Sequence, residues 1–270
     1  MIRIISSFLI ASSLLVGCAK NPLTGRNQAK LVSETELQSM ATTQYQQFLS
    51  TNKVVSSSSN RDAEMVKRVG QRITKAVTQY YAQQGLSSRL EGYKWEYNLV
   101  EDKAVNAWCM PGGKIVVYTG LLPISQNEAA LAVVMGHEVS HALLYHGNER
   151  MSQGLIAELG GSALSVALAE KPAATQNLFL TAFGLGAQVG VLLPFSRKQE
   201  LEADEWGLNF TAMAGYNPRE AIALWQRMQA ASKGQSPPEF LSTHPDEGHR
   251  IAELEKLMPK ALQYYKPMGN

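Results

Sequence analysis

The sequence predicts an α+β domain, mainly α-helical, with one small β-sheet in the first half of the chain. Three observations predict it. Met65, Val66, Val69, Ile73 and Val77 recur at helical spacing, and a helix over 61–84 follows from them. Tyr93, Trp95, Tyr97 and Leu99 alternate with Lys94, Glu96 and Asn98, which is strand periodicity, and two short apolar runs follow at 105–110 and 114–119. After Gly120 the remaining segments read as helical.

Composition sets the outer bounds. With 270 residues, 45% hydrophobic and 18% charged, the chain can bury one good core. A net charge of +2 gives no reason to expect nucleic acid or an acidic surface as a partner.

The first residues read as an export signal. Met1 to Arg3 are positive, and 4–16 is an apolar stretch diluted by serines, too short to span a bilayer comfortably. It ends in Leu15-Val16-Gly17-Cys18, which looks like a bacterial lipobox, in which a diacylglycerol is attached to the cysteine. The expectation is a lipoprotein signal peptide over 1–17, lipidation at Cys18, a tether over 18–32 and a single domain over 33–270. Ala19 after the cysteine adds an expected place in a bacterial cell envelope, lipid-anchored at the periplasmic face of the outer membrane. Cys109 is then alone, and its apolar setting predicts a buried thiol.

Along the domain, Ser33 with Glu36 forms a capping box opening a helix to about residue 49. The serine-rich 51–60 is a loop, and Gly85 ends the second helix. Pro111-Gly112-Gly113 joins the last two strands. Ser125 with Glu128 predicts the start of a helix that runs to His146 and stops at Gly147. The stretch 151–195 is the least polar, and 178–193 carries no charge. It falls short of a transmembrane helix and reads as an apolar helical hairpin near the cleft. Helices near 198–214, 218–232 and 247–258 complete the chain.

The chemistry sits in His137-Glu138-Val139-Ser140-His141. Residues four apart on a helix are separated by about 40° and one turn, so both imidazoles reach one ion. Glu138 lies near the same face, placed to take a proton from a water activated by zinc. The surrounding residues 130–136 and 142–145 are nearly all apolar, which predicts a buried helix, and buried histidines need partners that a metal supplies. A third ligand is expected farther along, in 196–207. There Glu202, Glu205 and Asn209 share one polar face, read as the solvent side. Glu200, Ala203, Asp204 and Gly207 share another, with small residues suited to close helix packing. Glu200 is therefore the expected ligand, with Asp204 one turn later as acceptor for a ligand histidine's free ring N–H.

His137 to Gly147, followed some sixty residues later by Ser196 to Gly207, resembles the gluzincin HExxH zinc metallopeptidase family of the CAAX-prenyl-protease, HtpX and Oma type. Within it the chain is most similar to the soluble bacterial lipoprotein branch (LoiP/BepA-like). Asn106 to Gly113 looks like the family's NAF..PGG strand-turn, with Trp108 in the aromatic position, and Thr243-His244-Pro245 with Arg250 and Ile251 looks like its HP….RI element. The resemblance implies a zincin-like fold with the small sheet beside the HExxH helix, zinc held by His137, His141 and Glu200, and Asp204 in support.

The expected function is a zinc-dependent endopeptidase acting on unfolded cell-envelope proteins. Glu138 is the base, and Asn106 and Ala107 hold an extended substrate along an edge strand. His244 is either a donor to the transition state, a fourth ligand that blocks the resting site, or a plain surface histidine. Arg250 and Arg197 are candidates to pair with acids around the site, and Arg250 is also a candidate oxyanion donor. His146, five residues past His141, is expected to be structural, and His249 exposed. The rival reading is a chaperone or assembly lipoprotein with a latent zinc site.

Overall fold

The alternation seen in the sequence becomes a four-stranded sheet with helices on both faces. A computed structural model describes residues 18–159, 163–183, 196–232, 238–245 and 248–267. The expected signal peptide and 184–195 of the apolar stretch lie outside the described residues. The strands are β3 (Val54–Val55), β4 (Glu96–Val100), β5 (Ala107–Met110) and β6 (Lys114–Tyr118), in the order β3-β4-β6-β5. β4 and β6 run parallel, and the other two pairs are antiparallel. The tight β5–β6 turn requires φ of 77° at Gly112 and 83° at Gly113, a region side-chain-bearing residues resist.

Leu99, Ala107, Cys109, Ile115 and Val117 face one core, while Val100, Trp108, Met110, Val116 and Tyr118 face a second. Burial of both faces explains why β5 and β6 read as continuous apolar runs. The first core is built against α2 (Arg61–Gln83), α4 (Glu128–Leu143), α8 (Arg197–Met213), α9 (Glu220–Ala231) and α11 (Arg250–Tyr264). Val66, Val69, Ile73 and Val77 of α2 are fully buried there, as their spacing predicts. The second core gathers Leu37, Ala41, Tyr45 and Phe48 of α1 (Glu34–Thr51), with α5 (His146–Leu159), α6 (Leu164–Glu170) and α7 (Pro172–Ala182). α1 opens with the expected Ser33–Glu36 capping box. Among the described residues no helix is long and apolar enough to cross a membrane.

Two expectations are corrected. The metal-motif helix is capped by Asn127, whose side chain accepts from the Ala130 N–H at 2.8 Å. Ser125 instead closes the short α3 (Leu122–Ser125). The helix also stops before His146: Tyr145 takes φ 60°, the chain turns, and α5 starts at His146. Gly147 is inside α5, where a Cβ would stand 2.0 Å from the Phe183 ring. It is there for close packing and not as a stop.

The second correction concerns 18–32. The segment is no free tether: β1 (Cys18–Lys20) and β2 (Asn27–Ala29) pair as an antiparallel ribbon. Asn21 and Gln28 donate to the Leu144 carbonyl at 3.1 and 2.8 Å, satisfying an open acceptor at the end of α4.

Candidate metal centre

Residues 130–143 of α4 are all buried, because the helix lies between the sheet and α8. The two helices cross where both lack a side chain: a Cβ on Gly136 would stand 2.8 Å from the Gly207 carbonyl oxygen. This close crossing brings Glu200 and Asp204 of α8 to His137 and His141 of α4. α10 (Glu239–Thr243) and the residue after it carry His244 into the same place.

Four side chains converge. Nε2 of His137 lies 3.0 Å from Nε2 of His141 and 3.2 Å from Nδ1 of His244. Glu200 Oε1 lies 3.3 Å from His141 Nε2 and 2.9 Å from His244 Nδ1, and Glu200 Oε2 is 3.5 Å from His137 Nε2. One ligand atom from each of the four lies within 4.8 Å of all the others, and all four residues are buried. Around an ion with bonds of about 2.0 Å in tetrahedral array, donors stand roughly 3.3 Å apart, so these separations fit zinc. The chemistry of the set, imidazole nitrogens with one carboxylate, suits the same ion.

The outer supports are equally definite. Asp204 Oδ1 lies 2.9 Å from Nδ1 of His137 and so takes its ring N–H, which turns Nε2 toward the cluster. Arg250, buried, donates to Glu200 Oε2 at 2.6 Å and to Asp204 Oδ1 at 2.7 Å, with its guanidinium carbon 3.9 Å above the Trp225 ring. Glu138 is buried; its Oε1 is 3.3 Å from His244 Nε2, yet that oxygen makes no hydrogen bond among the described residues. An orphan carboxylate oxygen beside the cluster is a group with work to do there.

Charge distribution follows from burial. Burial lifts the Glu138 carboxyl, aided by the nearby Glu200 charge, to about 8. Burial alone would lower His137, but Glu200 and Asp204 outweigh it and raise the imidazole to about 9. Burial would raise Glu200, but His244, Arg250 and His137 hold it well below the usual carboxylate range. Burial takes His244 down to about 4.

His137, Glu138, His141, Glu200 and Asp204 thus come together, and His244 and Arg250, for which the sequence left alternatives open, are both buried at the cluster. Arg197 and His249 are on the surface. Asn106 and Ala107 are buried beside α10 rather than open: Asn106 Nδ2 donates to Glu239 at 3.0 Å, and the Phe240 N–H donates to the Val105 carbonyl at 3.0 Å. Cys109 is a buried free thiol that burial pushes well above its usual value.

Three residues correct the sequence reading. Glu202 and Asn209 are not on a solvent face. Asn209 is buried, and Glu202 is held between His146 and Arg26. His146 was expected to point away, since five residues along a helix is a turn of about 140°. The break at Tyr145 brings it back, and its Nδ1 lies 2.9 Å from Nδ1 of His141. Only the non-helical φ at Tyr145 could have revealed this, and a tyrosine gives no signal for it.

Comparison with known proteins agrees with this geometry. The family model of "Peptidase family M48" matches residues 60–258. "Mitochondrial metalloendopeptidase OMA1" of Saccharomyces cerevisiae is 36% identical over 196 residues, 68% of this chain and 54% of the relative. "Metalloendopeptidase OMA1, mitochondrial" of Danio rerio is 31% identical over 255 residues, 90% of this chain and 51% of the relative. "Beta-barrel assembly-enhancing protease" of Escherichia coli is 30% identical over 163 residues, 59% of this chain and 33% of the relative. The chain spans about half the length of the yeast and fish relatives. Relatives named as mitochondrial, from yeasts, a plant and a fish, overturn the expected placement at the periplasmic face of a bacterial outer membrane. The family model covers most of the chain and includes every converging residue of the centre: this chain belongs to peptidase family M48.

Proposed function

We propose that the protein is a zinc-dependent endopeptidase that hydrolyses peptide bonds of unfolded or extended proteins. The observation that supports it most is Glu138, a buried carboxylate with an unpartnered oxygen beside a four-residue cluster of tetrahedral spacing. His137, His141 and Glu200 would hold zinc, which when bound supplies a Lewis acid and makes a neighbouring water more acidic. Glu138 takes the proton from the attacking water and returns it to the leaving amine. Asp204 keeps the Nδ1 hydrogen of His137 in place, and Arg250 holds Glu200 and Asp204 in fixed positions.

β5 lies at the edge of the sheet, and an extended peptide would pair along it. The hydrogen bond from Phe240 to Val105 and the one from Asn106 to Glu239 put α10 along that edge, so in this reading the substrate displaces α10. His244 travels with it, and we read His244 as the fourth donor of a resting, closed centre. A metal-coordination measurement that finds water in its place would remove that part. Lipid attachment at Cys18 belongs to the proposal on Leu15-Val16-Gly17-Cys18 alone, and the mass of the peptide containing Cys18 tests it.

The deciding experiment measures bound zinc and casein cleavage for the parent and for Glu138→Gln. Stoichiometric zinc in both with cleavage by the parent alone is expected. Zinc in both with cleavage by neither would favour a latent, chaperone-like protein; equal cleavage by both would remove Glu138 from the mechanism.

A further inference from the structure

The ribbon of β1 and β2 reaches the metal centre through a continuous line of side chains. Arg26 Nε lies 2.7 and 3.0 Å from the two carboxylate oxygens of Glu202, and its Nη1 and Nη2 lie 2.6 and 2.7 Å from those of Glu149. Glu202 Oε2 is 3.0 Å from Nε2 of His146, and Nδ1 of His146 is 2.9 Å from Nδ1 of His141. Side-chain exposure falls along the line, from 13% at Arg26 and Glu202 to 0% at His146 and 4% at His141. The same ribbon holds the turn that places His146, through the bonds of Asn21 and Gln28 to the Leu144 carbonyl. Lys30 lies 3.8 Å from the centre of the Tyr145 ring at that turn.

The hydrogen-bond directions form one consistent chain. Glu202, paired with the guanidinium of Arg26, is an acceptor, so His146 carries its hydrogen on Nε2. His146 Nδ1 then offers a lone pair. A single hydrogen fits between the two Nδ1 atoms, and it sits on His141. That leaves Nε2 of His141 bare, facing His137 and Glu200. The opposite tautomer would put a hydrogen on the nitrogen that must donate its electron pair to a metal.

We propose that the ribbon is a clasp on the metal centre, in which Arg26, acting through Glu202 and His146, fixes the tautomer and orientation of His141. Arg26 and His146 are positioning residues; the inference rests on His141 being a metal ligand. Arg26 lies outside the 60–258 segment that the family model matches, so the clasp joins the N-terminal part of the chain to that segment.

Zinc affinity of the full chain, by competition with a chromophoric chelator, tests it. The nitrogen chemical shifts of His141 report its tautomer independently of activity. Arg26→Met is expected to weaken zinc about tenfold, with partial recovery in Arg26→Lys. His146→Leu is expected to weaken it by roughly 10- to 100-fold, while His146→Gln, whose amide can both accept from His141 and donate to Glu202, stays near the parent. Lys53→Met, which removes an exposed ion pair with Glu101, serves as the unchanged control. If His146→Leu does not fold, the Arg26 pair decides. Arg26→Met that lowers thermal stability but leaves zinc affinity and the His141 shifts at parental values overturns the clasp and leaves the metal centre standing. A parent chain that binds no zinc overturns both.

Discussion

Gly207 of α8 lies against the backbone of His137, so close that a Cβ built on it would stand 2.9 Å from both the nitrogen and the Cα of that residue. The metal centre depends on this contact, since it sets how near Glu200 and Asp204 come to the two histidines of α4. Gly207→Ala should push the helices apart and cost about 1–3 kcal/mol, the usual range for overpacking. Denaturant unfolding measures the loss, and zinc affinity should fall with it. An alanine variant as stable as the parent would show that the crossing has slack.

Arg250 bridges Glu200 and Asp204, and all three are buried. Arg250→Met leaves two carboxylates without their counter-charge in a dry site. In zinc-free protein the expected loss is about 3–5 kcal/mol in unfolding free energy. Arg250→Lys should recover only part, because one ammonium cannot reproduce the forked contact.

Asp204→Ala removes the acceptor for the Nδ1 hydrogen of His137. Zinc affinity should drop roughly 10- to 100-fold while Glu138 keeps its place. Chelator competition reads the affinity, and cleavage at saturating zinc should recover much of the parental rate. No change in affinity would show that His137 is oriented by packing alone.

The ion pairs of the clasp give a pH dependence of known sign. Burial would raise Glu149 and Glu202, but hydrogen bonds from Arg26 and Gln199 to the first, and from His146 and Arg26 to the second, hold both below the ordinary value of 4.5. A depressed carboxylate contributes stability that is fully present above its unfolded value and lost as pH falls through its folded one. In zinc-free protein the parent should therefore melt above Arg26→Met at neutral pH. The gap should close as pH falls below 4.5. Melting curves of the two proteins across that range check it; a constant gap would mean that Arg26 acts through packing.

The fold class was open to sequence reasoning because period and composition are local properties. The α2 stripe, the two-sided β5 and β6, and the buried setting of α4 each follow from which residues must avoid water. So does the core of the site: His137, Glu138 and His141 are brought together by one helical turn, and Glu200 was picked out from its neighbours by the small residues on its face. What sequence could not carry was anything that depends on where a chain breaks or what a distant segment covers. One left-handed residue, Tyr145, returns His146 to His141, against the direction that continuous helical geometry gives. The N-terminal ribbon converts Glu202 from an apparent surface acid into a half-buried link, because burial is decided by whatever packs over a face and not by the face itself. The sequence by itself determined the chemistry of the centre; only the tertiary structure decided the N-terminal contacts behind it, since those join Arg26 to Glu149 and Glu202, more than a hundred positions away, through contacts that no local pattern encodes.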